Sequence, residues 1–237
     1  MGQIAEIKHE LVIANHILAN EGVVDAFGHI SVRHPTNENH YFMACSKAPE
    51  DVEIDDIVEM NEEGQVIGDD ARSVPIERFI HAGILQRRPD VHSVVHNHSH
   101  AVIPFSVTDV PLKPIFHVAG AMGKVAPVWD IATKFGPTDM LVSNMEQAFD
   151  LADTLGLGAA ALMRGHGCVI AAASIREAVK NSIYFLTNAQ LLISALNIGG
   201  PKYLSDGEIN LLCKKSSNPM GLKRTWDNWK NRAEKSK

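Results

Sequence analysis

The strongest constraint on the fold of this chain is a pair of histidines at the end of a strand-like run. His96 and His98 follow Val94 and Val95, within residues 91–98, whose β-branched side chains predict a strand. Alternate residues of a strand project from the same face, so the two imidazoles would lie side by side. A strand presents two metal ligands in this way, and the fold must then bring further ligands to the same place.

His166 is the natural third ligand. It lies between Gly165 and Gly167, after the apolar residues 159–163, and its small neighbours permit close approach to another element. Each histidine alone is better explained as a surface residue or a hydrogen-bonded core residue than as a metal ligand. The His-x-His spacing together with a glycine-flanked partner favours a metal site.

Glu77 is a candidate acidic partner, because it begins the predicted helix that leads into the histidine strand. A carboxylate in the first turn also stabilises the helix dipole, so this alternative stays open. Three imidazoles with a nearby carboxylate suit a divalent transition metal that keeps an open position for substrate. Zinc, manganese and ferrous iron all fit these ligands.

Apolar periodicity and turn residues predict alternating helices and strands. The predicted helices cover residues 4–21, 75–88, 144–155 and 174–198. The predicted strands cover residues 28–33, 40–45, 57–60, 65–67, 91–98, 124–129 and 159–172, the first two as a hairpin. No repeat or long linker interrupts the pattern, which indicates a single three-layered α/β unit.

Composition narrows the class of protein. The chain has 237 residues, 45% of them hydrophobic, which suffices for one substantial core. A formal net charge of −6 argues against binding to nucleic acid or to an anionic membrane. The three cysteines form no Cys-x-x-Cys pair, and there is neither a signal-peptide core nor an apolar run of about 18 residues. We therefore expect a cytoplasmic protein.

The C-terminal segment differs in charge from the rest. Residues 202–237 contain nine basic and four acidic residues, a net of +5, whereas residues 1–201 carry −11. We divide the chain into a domain of residues 1–201 and a basic helical arm of residues 202–237. The arm is either a solvated helix anchored on the domain by Leu222, Trp226 and Trp229, or an arm that packs on a neighbouring subunit.

These motifs together resemble the class II aldolase/adducin family. The resemblance is carried by residues 75–99, with Glu77 placed 19 residues before His96, and by the Arg-Gly-His-Gly motif at 164–167. It extends from the first helix to about Gly200. It implies an α/β fold of three α/β/α layers with a mainly antiparallel central sheet, in a homotetramer with sites near subunit interfaces. It also implies one divalent metal per subunit, held by His96, His98 and His166, with Glu77 as a ligand or as an acid/base.

Departures from the family pattern bear on the substrate. Sugar-phosphate aldolases of the family carry Gly-Asn-x-Ser and a Thr-Pro-Ser/Thr-Gly loop, where this chain has Gly-His-Ile-Ser at 28–31 and Cys-Ser-Lys-Ala at 45–48. Most of the phosphate cradle is therefore missing. The chain is more similar to the branch that decarboxylates hydroxylated aromatic or pyridine carboxylates. The aldolase tyrosine acid is replaced by His117.

Our leading hypothesis is a metal-dependent decarboxylase of an ortho-hydroxy aromatic or heteroaromatic mono- or dicarboxylate in a catabolic pathway. Glu77, His29 and His117 are the candidate proton donors. The candidate substrate-binding residues are Ser31, Ser46, Lys47, Arg78 and Arg164, with Ser46 and Lys47 expected to hold a second anionic group. Two alternatives remain: an aldolase or oxygen-using lyase acting on a non-phosphorylated substrate, and a non-catalytic adducin-like assembly domain. The complete set of ligands disfavours the assembly domain.

Overall fold

One mixed sheet forms the middle of the protein. The computed structural model describes residues 2–69, 71–215 and 218–236. Their sheet has seven strands: β1 (His29–Arg33), β2 (Tyr41–Ala44), β3 (Ile57–Met60), β4 (Ser93–Asn97), β5 (Val128–Trp129), β6 (Ala160–Met163) and β7 (Gly167–Ala172). The strand order is β3-β2-β1-β4-β7-β6-β5. Every neighbouring pair is antiparallel except β5 and β6, which confirms the predicted mainly antiparallel sheet.

Helices cover both faces of the sheet. They are α1 (Gln3–Asn20), α2 (Arg78–Arg87), α3 (Ile103–Ser106), α4 (Ile131–Phe135), α5 (Met145–Leu155), α6 (Ile175–Ile198), α7 (Asp206–Cys213) and α8 (Pro219–Lys235). The side chains of Asn144 and Ser174 cap α5 and α6 at the residues predicted as their starts, and α6 ends at Gly199. Within the described part of the chain, no helix is long and apolar enough to cross a membrane.

The two sides of the sheet bury separate apolar cores. Alternate residues of β7 face opposite sides, with Ile170 packing on the side of α1, α6 and α8, and Val169 on the side of α2 and α5. Val94 and Val95 of β4 divide in the same way. A central antiparallel sheet buried on both faces explains why its strands are continuous apolar runs. The predicted three-layered α/β/α fold is confirmed.

Three strand predictions differ from the structure. Residues 159–172 form the hairpin β6–β7 instead of one strand, because Gly165 adopts a positive φ of 64° and turns the chain. Of residues 65–67, only Val66 forms a bridge, to Met60. Of residues 124–129, only β5 is a strand, since Pro127 has no N–H to donate to a neighbour.

The basic C-terminal residues form α7 and α8 on the surface of their own chain. Trp226 and Trp229 of α8 are buried against α1 and α6, whereas Leu222 is half-buried. Arg232 of α8 also pairs with Glu21, just after α1, at 3.2 Å. A contact of this arm with a neighbouring subunit stays a prediction.

One edge of the sheet brings the predicted site residues together. His29 begins β1 and is paired in register with His96 near the end of β4, which in turn is paired with Val169 of β7. The turn that carries His166 precedes β7 at the same edge. Gly167 is required there, since a Cβ at this position would come within 2.1 Å of the Asn97 carbonyl oxygen.

Candidate metal centre and substrate cavity

Three imidazoles and one carboxylate converge at this edge of the sheet. The Nε2 atom of His98 lies 3.1 Å from the Nε2 atoms of both His96 and His166. Glu77 Oε2 lies 3.2 Å from His96 Nε2 and 3.3 Å from His166 Nε2. All four candidate ligand atoms lie within 4.8 Å of one another. The structure thus joins residues that are up to 89 positions apart in the sequence.

The second nitrogen of each ring identifies the atom that is available as a ligand. His96 Nδ1 lies 3.2 Å from the Cys168 carbonyl oxygen, and His166 Nδ1 lies 3.0 Å from the Met140 carbonyl oxygen. His98 Nδ1 lies 3.5 Å from a carboxylate oxygen of Asp25. These oxygens only accept hydrogen bonds, so each Nδ1 carries a proton, and a ring without a second proton directs its Nε2 lone pair at the other candidate ligands.

The donor set fits a first-row divalent metal. Nitrogen and carboxylate ligands bind such ions at about 2.1 Å, which separates adjacent ligand atoms by about 3.0–3.4 Å. The four adjacent separations of 3.1–3.3 Å lie in this range. Lone pairs that face each other at these distances repel unless a positive charge lies between them. His96, His98, His166 and Glu77 are therefore the residues that would hold the ion.

The loop after α4 orients two of these ligands. The Met140 carbonyl accepts from His166 Nδ1, and the Val142 N–H donates to Glu77 Oε1 at 3.1 Å. Among the described residues, Met140 is the one non-glycine residue with a positive φ, 68°. Such a conformation carries strain and tends to occur at functional sites. It directs the Met140 carbonyl oxygen at His166.

Glu77 lies immediately before α2 but does not cap that helix. Its carboxylate instead contacts the histidines and is 6% exposed, which favours a role at the site over a role limited to the helix dipole. Burial opposes ionisation of Glu77, but His96 and His166 outweigh it and hold the pKa of this carboxyl below its usual range. Glu77 is therefore a carboxylate.

A buried chain of hydrogen bonds extends behind His29. His29 Nδ1 lies 2.6 Å from His81 Nε2, and His81 Nδ1 lies 2.6 Å from Ser31 Oγ. Burial, together with His96, lowers the pKa of His81 to about 3, and burial lowers the pKa of His29 well below its usual value. Both rings are neutral near pH 7. Because His81 uses Nδ1 of His29, Nε2 is left for a ligand.

A cavity of about 610 Å³ opens beside the cluster. Its histidine end contains His29, Glu77 and His98, and its lysine end contains residues 45–48 with Ser73. Apolar side chains line most of the wall between them: Ala26, Phe27, Val74, Pro75, Ile76 and Leu141. The size and lining suit a small, largely apolar ligand with one polar end at the cluster.

Of three predicted substrate-binding residues, two line this cavity and one lies behind it. Ser46 lines it and accepts a hydrogen bond from the Ser73 hydroxyl at 3.3 Å. Lys47 lines it too, but its Nζ pairs with Asp56 at 2.7 Å. Ser31 is fully buried behind His81, so it supports the site without lining the cavity.

Three other predicted residues are not brought to the cavity in this chain. Arg78 Nε donates to the Gly64 carbonyl oxygen at 2.6 Å, which uses its guanidinium to hold a loop. Arg164 pairs with Asp130 at 2.6 Å. His117 lies in a 3₁₀ turn that packs against α6 and α7 and lines a separate small pocket.

Three residues that the sequence did not single out contact candidate site residues in the fold: Asp25, Asp56 and His81. A signal for His81 exists, since it lies four residues after Glu77 and thus on the same face of a helix. No local pattern distinguishes Asp56, which lies in an acidic stretch, from its neighbours. Asp25 lies four residues before His29, and the fold brings its carboxylate to 3.5 Å from His98 Nδ1.

Comparisons with known proteins agree with this geometry. Residues 9–193 match the model of the family described as Class II Aldolase and Adducin N-terminal domain, so the chain belongs to that family. Decarboxylase tropJ of Talaromyces stipitatus is 33% identical over 81% of this chain and 77% of that protein. A 3,4-dihydroxyphthalate decarboxylase of Arthrobacter keyseri is 31% identical over 86% of this chain and 85% of that protein.

A solved structure shows the same fold. The L-fuculose 1-phosphate aldolase from Glaciozyma antarctica PI12 superposes with a TM-score of 0.78 over 97% of this chain and 89% of its own, at 25% identity. The family resemblance inferred from the motifs is confirmed. The relatives whose names state an activity include decarboxylases and an aldolase, which are lyases.

Proposed function

We propose that this protein is a divalent-metal-dependent lyase that decarboxylates an ortho-hydroxy aromatic or heteroaromatic carboxylate. The observation that carries the proposal is the convergence of three imidazole lone pairs and the Glu77 carboxylate at one end of a cavity with a mostly apolar wall. The decarboxylase relatives support the same reaction class. A single ion per subunit, zinc, manganese or ferrous iron, fits the ligands, and the resemblance supports a homotetramer.

The hydroxyl and carboxylate of the substrate would chelate a bound divalent ion, which would stabilise the negative charge left on the ring when carbon dioxide departs. His96, His98 and His166 would hold the ion. We assign Glu77 as a fourth ligand, because its Oε2 atom lies 3.2 Å from His96 Nε2 and 3.3 Å from His166 Nε2, close to the 3.1 Å that separates His98 Nε2 from each of these nitrogens.

His29 is the candidate that moves the proton. If His29 Nδ1–H donates to His81 and His81 Nδ1–H donates to Ser31, His29 Nε2 is an acceptor at the cavity. It takes the proton of the substrate hydroxyl and becomes an imidazolium. Because burial lowers the pKa of His29, this imidazolium is a strong acid.

Loss of carbon dioxide and protonation of the ring follow. The bond between the ring and the carboxylate breaks, carbon dioxide leaves, and the electron pair stays on the ring carbon. His29 delivers the proton to that carbon, and the phenolate of the product takes a proton from water when it is released. His81 orients His29 throughout by accepting from Nδ1.

The test is a panel of 2-hydroxybenzoates, dihydroxybenzoates and hydroxypyridine carboxylates, incubated with protein loaded with zinc, manganese or ferrous iron. We expect release of carbon dioxide with formation of the ring lacking that carboxylate. Cleavage of a hydroxyaldehyde without activity on any ring acid would replace this proposal with the aldolase alternative. Metal-free protein and His98→Ala provide the controls.

A further inference from the structure

The lysine end of the cavity, residues 45–48 with Ser73, is where a ring substituent far from the metal ligands would lie. β2 ends at Ala44, and β1 with His29 separates it from β4 with His96. Adjacent strands are about 4.8 Å apart, so the two ends are about 10 Å from each other. A benzene ring whose hydroxyl and carboxylate lie at His96 and His98 would direct its remote substituent toward residues 45–48.

Lys47 is the basic residue of this end, and Asp56 neutralises its positive charge. Its Nζ lies 2.7 Å from Asp56 Oδ2. The same Oδ2 accepts from the Glu53 N–H at 2.8 Å, as part of a reciprocal cap on the 3₁₀ turn Ile54–Asp56. The carboxylate of Asp56 is therefore fixed in place by the backbone, and Lys47 is held by it.

The surrounding charge does not favour a second anion either. From Ala48 to Asp56 the sequence has five acidic residues and no basic one, and the next basic residue after Lys47 is Arg72. Arg72 donates to the carbonyl oxygen of Asp55. The hydrogen bond with Asp56 raises the pKa of Lys47, and Asp51 and Glu53 act in the same direction. A carboxylate entering this end meets a paired lysine and an acidic loop.

The remaining wall favours an apolar substituent. Ala48 and Val74 line the cavity beside Lys47. Phe27 and Ile76 line it as well, and they are 75% and 56% exposed. Large exposed apolar side chains around a cavity gain most from a ligand that covers them.

We infer that the substrate is a hydroxyaromatic monocarboxylate with an uncharged, apolar substituent at the lysine end, and that Asp56 excludes dicarboxylates by neutralising Lys47. This inference rests on the proposed function and names its substrate class. It replaces the expectation from sequence that Lys47 binds a second carboxylate. Asp56 is thus a specificity-determining residue that acts through Lys47.

The experiment uses matched pairs of 2-hydroxybenzoates that carry either a methyl group or a carboxylate at ring position 4, 5 or 6. We expect the wild-type protein to favour the methyl compound in kcat/KM by about tenfold or more. Asp56→Asn keeps an oxygen that accepts from the Glu53 N–H but removes the negative charge that neutralises Lys47. It should shift the kcat/KM ratio toward the dicarboxylate by about tenfold, through KM.

The double variant Asp56→Asn with Lys47→Met is the matched control, and it should abolish that shift. A wild-type preference for the dicarboxylate would overturn the inference while leaving the decarboxylase proposal intact. An Asp56→Asn variant that changes both substrates equally would also overturn it. Calorimetric binding of the same pairs tests the inference separately, so an absence of turnover contradicts only the proposed function.

Discussion

At the histidine end of the cavity every metal-ligand candidate has a second partner, whereas at the lysine end Lys47 is held by one carboxylate near the surface. Cys168, Met140 and Asp25 each fix one imidazole there. The pair of Lys47 and Asp56 is 35% and 18% exposed. Candidate metal ligands that are each oriented by a second hydrogen-bond partner stay in position, which suits chemistry that tolerates little displacement. A partly exposed ion pair contributes little to the stability of the fold, so its charges can select among substrates at little cost to folding.

The largest effect should come from removing a ligand at the histidine end. His98→Ala leaves two imidazoles and a carboxylate, so metal content should fall and kcat/KM should decrease by about 10³-fold or more, while the fold remains. His100→Ala, an exposed histidine two residues away, is the matched control. Elemental analysis and circular dichroism check both variants, and full metal with full turnover in His98→Ala would remove this residue from the site.

Glu77→Gln distinguishes a ligand from a proton donor. The position of Oε2 predicts that metal affinity decreases by about 10–100-fold and that activity decreases in parallel. Metal titration gives the metal affinity of the variant and steady-state kinetics its activity, so the two decreases can be compared. A variant that keeps its metal affinity and loses only kcat would make Glu77 the acid/base and leave three histidine ligands.

His81→Phe tests whether the hydrogen bond from His29 Nδ1 to His81 orients His29 for proton transfer. The phenyl ring fills the same buried space but cannot accept from His29 Nδ1, so kcat should decrease by about 10–100-fold with little change in KM and in metal content. The pH profile of kcat should shift as well, because the imidazolium of His29 loses its acceptor. A decrease confined to metal content would assign His81 a structural role only.

The same histidine predicts a pH dependence of stability. The pKa of His81 is about 3 in the folded chain, against an ordinary value of 6.5, so the unfolded state binds the proton more readily. The free energy of unfolding of the metal-free protein should therefore decrease as the pH falls from 6.5 toward 3. Urea titrations across this range should show a weaker dependence for His81→Phe, and an unchanged dependence would contradict the account.

Much of the histidine end could be predicted from sequence, because its signals are local. The His-x-His spacing on a strand and the glycines beside His166 need no knowledge of distant contacts. The hairpin β6–β7 is harder to predict from sequence, because residues 159–172 are apolar or small except in the short turn around Gly165. Arg164, His166 and that glycine are the residues that mark the turn.

The lysine end could not be predicted in the same way. The charge of Lys47 was visible, but its partner Asp56 follows nine residues later in a stretch with several carboxylates. Only the fold shows which carboxylate it contacts. The same limit applies to His117. Its place in the order of the family motifs predicts a proton donor, but the fold packs its turn against α6 and α7. Side-chain partners set by tertiary structure leave no periodic signal.

Removal and return of the metal, followed by measurement of carbon dioxide release, tests whether the reaction depends on an ion held by the three histidines and Glu77. The protein is dialysed against a chelator, titrated with zinc, manganese or ferrous iron, and assayed on the 2-hydroxybenzoate that it converts fastest. A metal-dependent decarboxylase should release no carbon dioxide as the metal-free protein and should recover full release at one bound ion per chain. Undiminished release without metal, or a protein that binds no divalent ion, would contradict this prediction.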